Sequence, residues 1–156
     1  MFFQMNNLSE IEKLNVVKEA LAHVPFLLRN GFVLTREYFN ESPVVGKIYN
    51  FVFEKADKNR SLKILFSPKY NEFKDAIVIE IHNEQNKNLE IGQYLELVGL
   101  LDDKPRFRLD FYPGDFREQM DHFFKFIDSA FQEETLRDIL IGKTWVNLPF
   151  DWQGYK

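Results

Sequence analysis

Residues 47–66 read KIYNFVFEKADKNRSLKILF. Side chains alternate across a strand, so a period of two separates its faces. In 47–55 that period puts Tyr49, Phe51 and Phe53 on one face, with Ile48 and Val52 on the other. ADKNRS (56–61) is a polar turn, and LKILF (62–66) returns Leu62, Ile64 and Phe66 to a single face. Two alternating runs joined by a short polar turn predict an antiparallel hairpin.

The pattern extends in both directions. Upstream, GFVLTREYF (31–39) predicts a strand. Downstream, AIVIEIH (76–82) sets Ile77, Ile79 and Ile81 on one face and Ala76, Val78, Glu80 and His82 on the other. RFRLDFY (106–112) is the most regular alternation: Phe107, Leu109 and Phe111 interleave with Arg106, Arg108 and Asp110, predicting a fifth strand with one wet face. LEIGQYLELVGLL (89–101) fits two templates. Ile91, Tyr94, Leu95, Val98 and Leu101 suit a helix; Leu89, Ile91, Leu95 and Leu97 suit a strand face. Its length and few β-branched residues favour a short helix.

Helical signals flank this meander. Ser9 with Glu12 forms a capping box, after which Ile11, Leu14, Val17, Leu21 and Val24 recur at helical spacing. Pro25 ends or kinks that helix, Phe26–Leu28 add one turn, and Asn30-Gly31 is a stop. Pro113-Gly114 turns the chain into a helix capped by Asp115 and Glu118, with Met120, Phe123, Phe124, Ile127, Ala130 and Phe131 on one face. A last helix over about 133–141 presents Leu136, Ile139 and Leu140 before Gly142. The order predicts an α+β domain over residues 1–156: an antiparallel meander sheet of about five strands, with an N-terminal helix and two C-terminal helices packed on one face. Residues 143–156 form an aromatic tail expected to pack on the domain.

The chain of 156 residues is long enough for one core, and seventeen Phe residues supply much of it. With no cysteine there is no disulfide and no thiolate chemistry, which fits a reducing compartment. MFFQMNNLSE lacks a secretory pattern and no apolar run approaches a membrane span, so a cytoplasmic, soluble protein is expected. The net charge of −4 is uneven. Residues 47–74 carry seven cations against Glu54, Asp57 and Glu72, while the rest is acidic, which argues against a general nucleic-acid binder. The basic stretch reads as a solvated hairpin that resists edge pairing, or as a contact for an acidic partner.

Recognisable catalytic signatures are missing: no phosphate-binding glycine loop, nucleophile elbow or HExxH stands in the sequence. None of His23, His82 and His122 sits at a metal-ligand spacing. Glu80 and His82 share a strand face and are a possible half of an acid–base site. Glu118 and His122 stand four apart on a helix and can pair. Arg106 and Arg108, with Lys104, are candidates for a phosphate or an acidic partner. The doublets Asp102-Asp103 and Glu133-Glu134 are explained by a turn and a helix start. No cofactor or metal is expected.

The tail NLPFDWQGYK (147–156) is unusual, because three large aromatics stand where chains commonly fray. With Trp145, it either closes over the domain or forms a contact surface. Trp145 and Phe150 are expected to anchor inward, leaving Asp151, Trp152 and Tyr155 toward a partner.

The plan resembles the small α+β immunity proteins of bacterial toxin–immunity systems. The features that carry the resemblance are the capped first helix, the charged turns EKADKNRS and HNEQNKN, the late helices, the acidic balance and the lack of cysteine. It implies a cytoplasmic protein that binds and blocks one cognate toxin through acidic and aromatic side chains; no family site residue is carried over. A non-enzymatic protein-binding role, with a basic partner steered by acids, is the main expectation. The alternatives are a small-ligand module with a Phe-lined cavity and a hydrolase built on Glu80 and His82.

Overall fold

The computed structural model describes residues 8–43, 46–70 and 74–148. It is an α+β fold. Helix α1 (Glu10–Leu21) and the short α2 (Pro25–Arg29) precede an antiparallel sheet in sequential order: β1 (Val33–Ser42), β2 (Gly46–Glu54), β3 (Arg60–Tyr70), β4 (Lys74–Asn83) and β5 (Asn88–Glu90). Helices α3 (Ile91–Leu97), α4 (Phe116–Ala130) and α5 (Glu134–Ile141) follow. Among the described residues, no helix is long and apolar enough to cross a membrane.

The period-two reading of β2, β3 and β4 holds. Register aligns Tyr49–Phe66–Ile77, Phe51–Ile64–Ile79 and Phe53–Leu62–Ile81–Leu89 into cross-strand rows. Apart from the half-buried Tyr49, these side chains are buried beneath the helices. Val17 and Leu21 of α1, Met120, Phe123, Phe124 and Ile127 of α4, and Leu136, Ile139 and Leu140 of α5 complete the core. Burial of each such side chain contributes about 1.5–3 kcal/mol, which makes this two-layer contact the main source of stability. Both capping boxes form: Glu12 N–H donates to Ser9 Oγ (3.2 Å) and Glu118 N–H to Asp115 Oδ1 (3.0 Å). α1 is also tied to the sheet, with Tyr49 donating to Glu10 (2.5 Å) and Lys13 paired with Asp75 (3.0 Å).

Two expectations are corrected. Ile11 does not join the core; it is largely exposed. A helix advances about 100° per residue, so Ile11 lies about 120° around from Val17, beyond the buried stripe. The most regular alternation, 106–112, is not a strand. It touches β4 through one bridge, Ala76 to Arg108, and then tightens into a 3₁₀ turn over Leu109–Phe111. Local bonds replace the ladder: Arg108 N–H donates to Pro105 O (3.0 Å), Phe111 N–H to Arg108 O (3.1 Å), and Tyr112 Oη to Arg106 O (2.8 Å). The alternation still marks what is inside, because Leu109 is buried and Phe107 packs edge-on against Phe123 and Phe126. The fifth strand lies instead in 88–90, and the short helix expected in 89–101 forms directly after it, over Ile91–Leu97. Glu90 makes the change, accepting from Gln93 N–H (2.6 Å) as the N-cap of α3.

The β2–β3 turn is not simply solvated. Arg60 is buried, donating through Nε to Ile139 O, through Nη2 to Thr144 O and through Nη1 to Asn59 O, each at 2.7 Å. Lys55 Nζ donates to Ile141 O (3.1 Å). Two cations of the basic stretch thus satisfy carbonyls at and beyond the C-terminus of α5, where the helix dipole favours positive charge. Gly142 closes α5 with φ +92°, and a Cβ there would collide with the Asn59 carboxamide.

Two outcomes follow from this junction. Arg60→Ala is expected to lower unfolding free energy by roughly 3 kcal/mol in chemical denaturation, because three charge-assisted hydrogen bonds, one of them fully buried, are lost together. Arg60→Lys should recover little of it, since one ammonium cannot reproduce the planar fork. Gly142→Ala should cost about 1–3 kcal/mol through left-handed strain.

Candidate functional site

The helices leave the other face of the sheet uncovered. Its register places Tyr38, Asn50, Leu65 and Val78 in one row and Arg36, Val52, Lys63, Glu80 and Glu90 in the next. His82 and Asn88 lie one step further along β4 and β5. Asn50 is buried even here, donating to Asn40 Oδ1 at 2.8 Å. The Arg36 guanidinium lies 4.5 Å from the Tyr38 ring centre. A hydrogen bond with Lys63, reinforced by Arg36, holds the Tyr38 phenol below its ordinary pKa.

Glu80 and His82 do meet, with Oε1 and Nε2 3.0 Å apart and about a fifth of each side chain exposed (24 and 18%). Glu90 stands directly across the ladder from Glu80. Burial, with Glu80 and Glu96 adding like charge, raises the Glu90 carboxyl above its ordinary range, although the Gln93 and Gly92 amides pull the other way. The pair can share a proton, and it lies on a sheet face. The cleft of about 580 Å³ lies elsewhere, between α1 and α4, lined by Val16, His23, Met120 and Phe124 and crossed by Glu19–Arg117 (3.0 Å). Among the described residues, no group of three or more His, Asp or Glu side chains is arranged to hold a metal ion.

The other predicted residues are dispersed. Arg106 is drawn to Asp102 (2.7 Å) over the Phe111 and Phe126 rings, while Arg108 pairs with Asp110 (3.0 Å). Each cation therefore has a carboxylate of its own. Glu118 is turned back into its capping box, and the His122 ring stacks on Tyr112. Trp145 is half-buried against the core, 5.1 Å from the Arg60 guanidinium. Phe150, Asp151, Trp152 and Tyr155 lie outside the described residues. The phenylalanines mainly pack on one another, as in Phe26–Phe131 (4.5 Å) and Phe123–Phe124 (5.2 Å).

Two surfaces had no notice in the sequence reading. β1 ends the sheet order and pairs only with β2 among the described strands. The helices reach it only at its margin, where Lys18 of α1 pairs with Glu37 (2.7 Å): Leu34 and Phe39, which share the helix-side face with Phe53 and Tyr49, are 42 and 56% exposed. The second surface is the turn after α3, where Leu97, Val98 and Leu100 stay exposed. The signal in the sequence was Gly99 directly after an apolar helical run. Compared with protein-family models, curated proteins and solved structures, the chain matches none.

The Glu90 environment has a pH signature. A carboxyl whose folded pKa is raised contributes stability that is full below its unfolded pKa and lost as pH rises through the folded one. Glu90→Gln is therefore expected to raise the melting temperature at pH 7 and to confer less advantage at pH 4. A calorimetric gain at pH 4 as large as that at pH 7 would contradict this assignment.

Proposed function

We propose that this protein is a non-enzymatic binding protein that docks an extended segment of a protein partner along β1. The observation that supports this reading is a ten-residue edge strand, largely exposed among the described residues and carrying exposed Val33, Leu34 and Phe39. An edge strand presents unpaired backbone donors and acceptors, and natural proteins blunt such edges unless they are used. Strand addition supplies affinity through main-chain hydrogen bonds, while alternate side chains set specificity. Here Leu34 and Phe39 offer apolar anchors on one face, and Arg36 and Tyr38 a cationic and aromatic pair on the other. A partner held in this way is blocked sterically, the mode of action of a toxin-immunity protein. The cysteine-free sequence supports a cytoplasmic setting, and the net charge of −4 favours a protein over a nucleic acid.

The test starts from a partner captured from native lysate, identified by mass spectrometry and purified. In calorimetric titration, the Leu34→Lys/Phe39→Lys double variant should bind at least ~10-fold more weakly, as expected when interface anchors are lost. His82→Ala should bind as the wild type does. Circular dichroism confirms that each variant is folded. A folded double variant with undiminished affinity would remove β1 from the interface.

A further inference from the structure

The turn that closes α3 presents the second uncovered apolar surface. Val98 is the last helical cap residue, Gly99 follows with φ +76°, and Leu100 folds back. Leu100 N–H donates to Leu95 O (2.9 Å) and Gly99 N–H to Glu96 O (3.2 Å), the two bonds of a Schellman motif. That motif normally tucks the residue after glycine against the helix. Here Leu100 does line a small cavity with Leu95, yet it remains 50% exposed, and Leu97 and Val98 are each 45% exposed. Three large apolar side chains within four residues thus stand out from a turn whose backbone is fixed by its own hydrogen bonds.

Their surroundings are mainly acidic. Glu96 and the Asp102-Asp103 doublet flank the turn along the chain and Glu133 lines its cavity, against Lys104 and Arg106. Arg106 is already committed to Asp102. Two of these acids, Asp102 and Glu133, are held toward the charged form. The Arg106 hydrogen bond lowers the Asp102 pKa. Burial pushes Glu133 up, but the Thr135 and Leu136 amides and the Tyr94 hydroxyl outweigh it and hold its pKa down. The adjacent cavity, about 220 Å³, is lined by Leu95, Leu100, Phe126, Ser129, Ala130 and Glu133. It falls short of the ~300 Å³ at which small-molecule sites begin, and is suited to one inserted side chain.

We propose that Leu97, Val98 and Leu100, with the cavity beside Leu100, form a docking surface for a basic amphipathic segment of a partner protein. Apolar side chains of that segment cover the three exposed residues, and one of them enters the cavity. Its lysines or arginines meet Glu96, Asp103 and Glu133. A second copy of this chain would bring carboxylates against carboxylates, and an anionic lipid surface would meet the same repulsion. The surface is separate from β1 and stands on its own observation.

The test uses a designed 18-residue amphipathic peptide of leucine and lysine, with a leucine–glutamate peptide of identical pattern as control. Amide shifts of the ¹⁵N-labelled protein are followed by NMR. With the lysine peptide, shifts should concentrate at Leu97–Leu101, Phe126 and Ala130. They should shrink severalfold between low and high salt, and should be missing with the glutamate peptide. The Leu97→Asp/Leu100→Asp variant, whose dispersed spectrum reports folding, should lose them. Should that variant unfold, Glu96→Lys/Asp103→Lys provides the same reading without touching the apolar residues. Shifts centred on β1 or on the α1–α4 cleft, equal response to both peptides, or no response would overturn the proposal. Sedimentation showing a dimer abolished by Leu97→Asp, or cosedimentation with phosphatidylserine vesicles, would overturn it in favour of a second copy or a membrane.

Discussion

The buried guanidinium of Arg60 governs how the sheet and the last helix meet. Arg60 opens β3 with its side chain on the core face, where the next residues of that face are Leu62, Ile64 and Phe66. A cation there is tolerable only if every donor finds an acceptor. The acceptors are main-chain carbonyls of Ile139 and Thr144, at and beyond the last turn of α5, where few amides are left to meet them, so the guanidinium and the helix end complement each other. Trp145 closes over the guanidinium, and Glu84 reaches it from the β4–β5 turn at 3.2 Å. One side chain therefore ties together the β2–β3 turn, the β4–β5 turn, α5 and the start of the tail. Lys55 and Gly142 make the same junction stricter: one adds a second cation to the helix end, the other admits Asn59 where a Cβ would not fit.

With that junction fixed, the helices can cover only part of the sheet. Their apolar faces lie over β2, β3 and β4, whose inward rows are phenylalanine, leucine and isoleucine. β1 is left at the margin, and the turn after α3 projects beyond the packed layer. These are two places where several apolar side chains meet water together, and they are carried on backbone held by a ladder in one case and by a Schellman motif in the other. Rigid presentation lowers the ordering cost of binding, so a modest apolar area is used efficiently. The polar group of Glu80, His82 and Glu90 lies on the outer face of the sheet, away from the cleft between α1 and α4.

Much of the plan was legible in the residues. The alternation in 47–66 and 76–82, the Ser9 and Asp115 caps and the Gly142 stop all rest on local geometry, and the structure follows each of them. So does the Glu80–His82 contact, because residues two apart on a strand share a face. The failures share a different character. Residues 106–112 alternate well, yet they meet β4 at Ala76 alone, because local bonds from Arg108 N–H to Pro105 O and from Phe111 N–H to Arg108 O turn the backbone away from the ladder. Arg106 and Arg108 look like one cationic patch on a strand; once the strand is replaced by a turn, each finds a neighbouring aspartate.

The sequence by itself determined the α+β class, the inward rows of the sheet, the helix ends and the acidic, cysteine-free character of the chain. These follow from periodicity, capping and composition, all properties of neighbours along the chain. Only the tertiary structure decided which segment completed the sheet, that Arg60 and Lys55 would serve α5, and that Phe39, Leu97 and Leu100 would stay in water. Those outcomes depend on competition for edges, carbonyls and covering surface among residues far apart in sequence, and pairwise proximity of that kind leaves no local pattern to read.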